Sequence, residues 1–253
     1  MLMLEVHSVG GGKGTTIAGT EIPYPGIAPS LFWSPDGDAV GFFSSGHLRK
    51  INLRGGMAEE IGDARSGHGG TWSRFGLIVF APTAKGPLYS VSSSGGTPTQ
   101  VTKLDKSRGE FSHRMPWFLP DGIHFLYLAI SNKPENCGIW VGSTDSQERI
   151  FLMQTSLPAI FSLPDHLLFI RGPMLMAQPF DPYRLMVTGS SFPVARNLRI
   201  NGETHFVAFS ASNTGALAYR NEGAAAVYTG PVKEMVLPTR IDPRGDVPDT
   251  VPR

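Results

Sequence analysis

The groups in this sequence that could do acid–base, metal or thiol chemistry are seven histidines, 21 acidic residues and one cysteine. The histidines stand at His7, His47, His68, His113, His124, His166 and His205, too scattered for a His-Glu-x-x-His zinc helix or any close ligand pair. Cys137 is alone, which excludes an internal disulfide and the thiol-rich zinc sets; it reads as a small buried hydrophobe. Gly10-Gly11-Gly12-Lys13-Gly14-Thr15-Thr16 has the glycines and lysine of a phosphate loop. A glycine follows the lysine where that chemistry needs a hydroxyl, and no helix follows, so it reads as a turn between strands. His68-Gly69-Gly70 has the make-up of an esterase oxyanion segment, but no Gly-x-Ser-x-Gly elbow exists to go with it. Serine, aspartate and histidine are all present, and nothing in their linear order sets a triad, which is defined by geometry. No metal or cofactor is expected.

Three polar clusters remain, each just before or at an expected inner strand: His68, Ser73 and Arg74 about Trp72; Ser112, His113 and Arg114 before Trp117; Thr204 and His205 before Phe209. They are the candidate binding residues. His113 and Arg114 would offer a proton-tunable pair of cations to an acidic partner. The alternative is that these side chains bond loop carbonyls between repeating units.

What must position them is a repeat. An aromatic is followed by a Gly- or Asp-containing turn and a short apolar strand, five times. The copies are Phe32-Trp33-Ser34-Pro35-Asp36-Gly37, Thr71-Trp72-Ser73-Arg74-Phe75-Gly76, Trp117-Phe118-Leu119-Pro120-Asp121-Gly122, Phe161-Ser162-Leu163-Pro164-Asp165 and Phe209-Ser210-Ala211-Ser212-Asn213-Thr214-Gly215. The aromatic-to-aromatic spacings from Trp33 are 39, 45, 44 and 48 residues, close to the four strands of a propeller blade. Pro presets φ in such a turn, Asp bonds its own backbone, and Gly supplies positive φ. No window carries a 3.6-residue apolar period. The expectation is an all-β chain, a β-propeller of four-stranded antiparallel blades, five to six in number and not necessarily a complete ring. A half blade is expected over 1–20, blades at about 28–64, 68–104, 113–154, 157–197 and 204–237, and a disordered tail over 238–253. The ring of each repeat's aromatic, Trp33 first, is expected to fill the wedge between blades. In such a fold the polar clusters sit near the axial channel and one face.

A net charge of +1 with 17% charged residues gives no field to hold nucleic acid or an anionic membrane. The 41% of hydrophobic residues is enough for a sizeable core, and no apolar run is long enough to span a bilayer. The N-terminus lacks the basic start and apolar run of a signal peptide. Arg244-Gly245-Asp246 matches an integrin-recognition tripeptide at chance level only.

Ser34-Pro35-Asp36-Gly37 and Leu119-Pro120-Asp121-Gly122 resemble the Pro-Asp repeat of TolB-type, WD40-like propellers. Ser112 to Gly122, Ala177-Gln178-Pro179-Phe180-Asp181 and Gly215-Ala216-Leu217-Ala218-Tyr219-Arg220 resemble the propellers that follow serine/threonine kinase or winged-helix domains in soil bacteria. The resemblance covers about residues 4–220. It implies a non-catalytic module that binds a protein or peptide, or senses a small ligand at the axial channel. That module is cytoplasmic as the chain stands, or extracytoplasmic if it is tethered in a longer membrane protein. On this reading the chain is not an enzyme. The alternative is that it is the propeller part of one, a kinase's sensor arm or the gating domain of a prolyl-type peptidase.

Overall fold

The computed structural model describes residues 2–6, 15–22, 30–196, 198, 200–201, 206–207, 209–211, 216–220 and 225–229. Gly10 to Gly14, Thr204, His205, the Arg244 tripeptide and the tail over 238–253 lie outside them. The chain divides into two compact units, 1–156 and 157–253. Among the described residues the one helical element is a 3-10 turn at Pro134–Asn136, and no helix is long and apolar enough to cross a membrane.

In the first unit β1 (Leu2–Val6) pairs antiparallel with β2 (Thr15–Ile22). Three antiparallel meanders follow. The first is β3 (Phe32–Trp33), β4 (Ala39–Ser44), β5 (His47–Asn52) and β6 (Glu59–Asp63). The second is β7 (Gly70–Trp72), β8 (Leu77–Phe80), β9 (Tyr89–Ser92) and β10 (Thr99–Gln100). The third is β11 (Glu110–Phe118), β12 (His124–Ser131), β13 (Gly138–Ser143) and β14 (Ile150–Gln154). The second unit opens with β15 (Ala159–Ser162), β16 (His166–Arg171) and β17 (Met174–Asp181). There β17 pairs with both β18 (Met186–Val187) and β19 (Phe192–Arg196). A pair β20 (Ile200–Asn201) and β21 (Phe206–Val207) precedes a three-stranded sheet of β22 (Phe209–Ala211), β23 (Ala216–Arg220) and β24 (Ala225–Thr229).

The repeated turns explain the strand pairing. Gly37, Gly76 and Gly122 occupy the same turn position with φ of 76°, 76° and 74°, which a side chain would strain. The Asp36 carboxylate accepts from the Asp38 N–H at 3.0 Å, and Asp121 accepts from Ile123 and His124, both at 2.9 Å. The first hairpins of the first and third sheets are thereby pinned in register.

Period-2 alternation then builds the core. On β8, Ile78 and Phe80 face the first sheet and pack with Phe32, Leu48, Ile61 and Ala64. Val79 and, just past the strand, Ala81 face the third, packing with Leu88, Val101, Phe125, Tyr127 and Trp140. The middle sheet is therefore covered on both faces, which no sheet could achieve alone. Each buried aliphatic or aromatic side chain contributes about 1.5–3 kcal/mol.

The wedge residue of the first repeat is not the one expected. Trp33 is 54% exposed, and its neighbour Phe32, 7% exposed, fills the space between the sheets. A Cβ on either Gly41 of β4 or Gly70 of β7 would overlap the Phe32 ring. The ring takes the room those two glycines leave. Alternation decides the outcome, since a two-residue strand can turn only one of its rings inward.

Candidate functional site

The polar centre of the first unit is built where β11 begins. The register between β11 and β12 slips at Phe111, since Glu110 pairs Ser131 and Ser112 pairs Ile130. In a regular strand residues three apart face opposite ways. The bulge puts Glu110 and His113 on the same face. His113 is fully buried and Glu110 is 2% exposed, with His113 Nε2 and Glu110 Oε2 3.1 Å apart.

The tautomer of His113 follows from its partners. A carboxylate only accepts, so Nε2–H donates to Glu110, and Nδ1 accepts from the Thr102 hydroxyl at 2.8 Å. Thr102 in turn accepts from the Leu88 N–H at 2.8 Å. Burial drives His113 below its ordinary value, against the pull of Glu110. Burial also pushes Glu110 up, but hydrogen bonds from His113, the Asp105 amide and Arg149 outweigh it and hold the carboxyl below the usual range. The pair is an ionised carboxylate beside a neutral imidazole, the elements of a proton relay.

Arg149 supplies the matching cation. Its Nη1 lies 2.8 and 2.9 Å from the two Glu110 oxygens, and its Nη2 is 3.1 Å from Asp105 Oδ2. The guanidinium also stacks over Trp140 at 4.0 Å. Tyr127 packs against the His113 ring at 4.7 Å between centroids.

The other residues singled out from sequence take separate places. His68 Nδ1 donates to the Ser66 carbonyl at 2.7 Å, and burial, reinforced by the Arg114 charge, drives its imidazole below the ordinary value. Ser73 Oγ accepts from the Phe75 N–H at 3.0 Å and closes the turn. Arg74 is exposed and stacks on Phe75 at 4.8 Å. Arg114 donates to Ser112 Oγ at 2.8 Å and to the Ala84 carbonyl at 2.6 Å, tying β11 to a loop of the preceding sheet. Ser112 and Arg114 thus share one face of β11 and His113 has the other. The two are not displayed as a pair of cations. His205 lies outside the described residues. Sequence reasoning missed Glu110, Asp105, Tyr127 and Arg149. The available signal was an acidic residue opening a strand that is otherwise apolar or aromatic.

His47, Glu60 and Asp63 bring one nitrogen and two carboxylate oxygens within 4.8 Å of one another on the β5–β6 hairpin. Glu60 and Asp63 are exposed, and both pair with His47, at 3.1 and 3.4 Å, as cross-strand ion pairs do.

No protein-family model and no curated protein matches the sequence. Solved structures do. A TolB-like protein from Agrobacterium tumefaciens superposes with a TM-score of 0.61 at 20% identity, over 82% of this chain and 73% of that one. The fold is a β-propeller. The propeller also matches virginiamycin B lyase from Staphylococcus aureus (TM-score 0.54, 16% identity, 90% of this chain and 77% of that one). A puromycin-hydrolysing peptidase from Mycobacterium tuberculosis matches at 0.57 and 16% identity, over 89% of this chain but 39% of that one. These enzymes correct the expectation that the chain is not an enzyme. That expectation rested on missing linear motifs. Glu110 opens β11 and Arg149 directly precedes β14 of the same sheet, 39 residues away in sequence, so a site built this way leaves no compact motif to find.

The buried network makes stability depend on pH. His113 and His68 have folded-state values below the ordinary 6.5. The unfolded chain therefore binds more protons just below that pH, and stability falls as pH falls. Glu110 adds a second loss below about its ordinary 4.5, because its folded value is also depressed. Urea unfolding is expected to show a midpoint that declines from near pH 6.5 downward, with the first part of the decline weakened in His113→Gln. A midpoint flat from pH 7 to 5 contradicts the assignment of neutral, buried imidazoles.

Proposed function

We propose that this propeller is the gating portion of a larger enzyme, controlling access of a peptide substrate to a catalytic domain in the same polypeptide. The match to the peptidase carries the reading: 89% of this chain corresponds to 39% of a longer enzyme. The mutual burial of the three sheets and the buried Glu110–Arg149 pair support it, because a gate must be stiff. The peptide would meet polar residues at the starts of the inner strands, Arg74 among them, or a small ligand would occupy the axial channel. The test is the complete reading frame and the activity of its intact product. Chromogenic peptides of increasing length should be turned over with a sharp fall beyond a limiting size, and a propeller deletion should lift that limit. A complete frame encoding this propeller alone overturns the proposal. The motifs at Ser112 to Gly122 and Ala177 to Asp181 favour a second form, in which the attached catalytic domain is a serine/threonine kinase. That form predicts autophosphorylation in place of peptide hydrolysis.

A further inference from the structure

We propose that a cleft between the second and third sheets binds a small uncharged molecule, holding its hydroxyl or carbonyl oxygen with the Tyr127 hydroxyl. The cleft has a volume of about 440 Å³, within the range of small-molecule sites. One wall is the chain between β10 and β11, including Val101, Lys103 and Leu104; the other includes Gly142, Glu148 and Arg149.

Tyr127 lines this cleft and is 1% exposed, and the side chain beside its hydroxyl is Arg149, which can only donate. The hydroxyl proton has no acceptor among the described residues. A buried donor left unpaired is costly and uncommon. The neighbouring His113 has both nitrogens committed, to Thr102 and Glu110. The Glu110 oxygens are committed to Arg149, His113 and the Asp105 amide. Burial pushes the phenol up to about 12, against the pull of Arg149, so the hydroxyl stays protonated and donates. The missing partner is an acceptor.

Charge selects the kind of acceptor. Lys103, Lys106 and Arg149 line the cleft with Asp105 and Glu148, and Arg149, the cation beside Tyr127, is already engaged by Asp105 and by Glu110 behind it. An uncharged acceptor can take the Tyr127 proton without drawing Arg149 from those carboxylates or setting another anion against them. Gly142 keeps the floor open, since a Cβ there would lie 3.0 Å from the Phe125 ring and 3.2 Å from Tyr127. The proposal does not depend on the gating role, because it concerns a cleft within the propeller and is tested on this chain without a catalytic assay.

Trp140 lies under Arg149, so its fluorescence reports on the site. The full chain is titrated with N-acetylalaninamide and glucose as neutral probes, and with N-acetylalanine and glucuronate as charged counterparts. Saturation-transfer NMR provides the second readout. Saturable binding of at least one neutral probe in the millimolar range is expected, tighter than its charged counterpart. Tyr127→Phe should keep or raise the thermal midpoint and weaken binding roughly tenfold. Leu104→Trp should block binding by filling the cleft. Failure of both neutral probes, preference for the charged ones, or equal binding by Tyr127→Phe overturns the proposal. So does a clear loss of stability in Tyr127→Phe, which would mean that an internal water already holds the hydroxyl.

Discussion

Replacing Arg149 by methionine is expected to cost the fold about 3–5 kcal/mol, the penalty for stripping the partner from a buried charge. Glu110 is nearly inaccessible to water, and both of its oxygens lie within 3 Å of Arg149 Nη1. Methionine preserves much of the volume and the contact with Trp140 but leaves the carboxylate with the His113 and Asp105 N–H groups and the more distant Arg108 Nε at 3.8 Å. With the Arg149 guanidinium gone, burial dominates and the Glu110 pKa should rise above its ordinary value. The sign of the pH effect then follows. The natural protein loses the Glu110 contribution as pH falls below about 4.5, whereas the variant no longer has it to lose, so their difference in stability should narrow in acid. Glu110→Gln in the Arg149→Met background should recover part of the loss, with a coupling of roughly 1 kcal/mol or more. Arg149→Lys keeps the charge but cannot reach Glu110 and Asp105 together while stacking on Trp140, so it should fall between. Urea denaturation at pH 7 measures all three. An Arg149→Met variant within about 0.5 kcal/mol of the natural protein would mean that Glu110 is solvated after all.

The fold was readable because its signals are local. Ser34-Pro35-Asp36-Gly37 and Leu119-Pro120-Asp121-Gly122 carry their turn geometry in four consecutive residues, and their recurrence sets the blade period. Nothing comparable marks the polar centre. His113 was legible as a candidate, but its partner Glu110 sits three residues away and shares its face only because Phe111 is bulged. A bulge depends on tertiary packing, here including the Gly86 N–H bond to the Phe111 carbonyl at 2.9 Å. Arg149 and Asp105 are 44 residues apart and meet because Asp105 precedes β11, where its amide donates to Glu110, and Arg149 precedes β14 of the same sheet. A pair brought together by a four-stranded meander is the kind of contact that linear motifs miss. Ser73 and Arg74, picked for their position before a strand, turn out to close a turn and to cover a phenylalanine.

The same distinction between local and tertiary information governs the first repeat, where two aromatic residues adjoin. By motif Trp33 is the equivalent of Trp72; by packing Phe32 is the core residue. Phe32→Ala should therefore cost about 3–5 kcal/mol, because the ring is pressed between Gly41 and Gly70 and bridges the first and second sheets. Trp33→Ala, although it removes the larger side chain, should change stability by no more than about 0.5 kcal/mol. The space can be probed from the other side. Gly70→Ala sets a methyl group against the ring, and overpacking of this kind costs about 1–3 kcal/mol. Phe32→Leu in that background should return part of the loss, since the shorter side chain yields the room, and the two changes should be non-additive. If Trp33→Ala proves the more damaging of the two aromatic truncations, the side chain bridging the sheets is the tryptophan, and the inward-facing register of β3 is shifted by one residue.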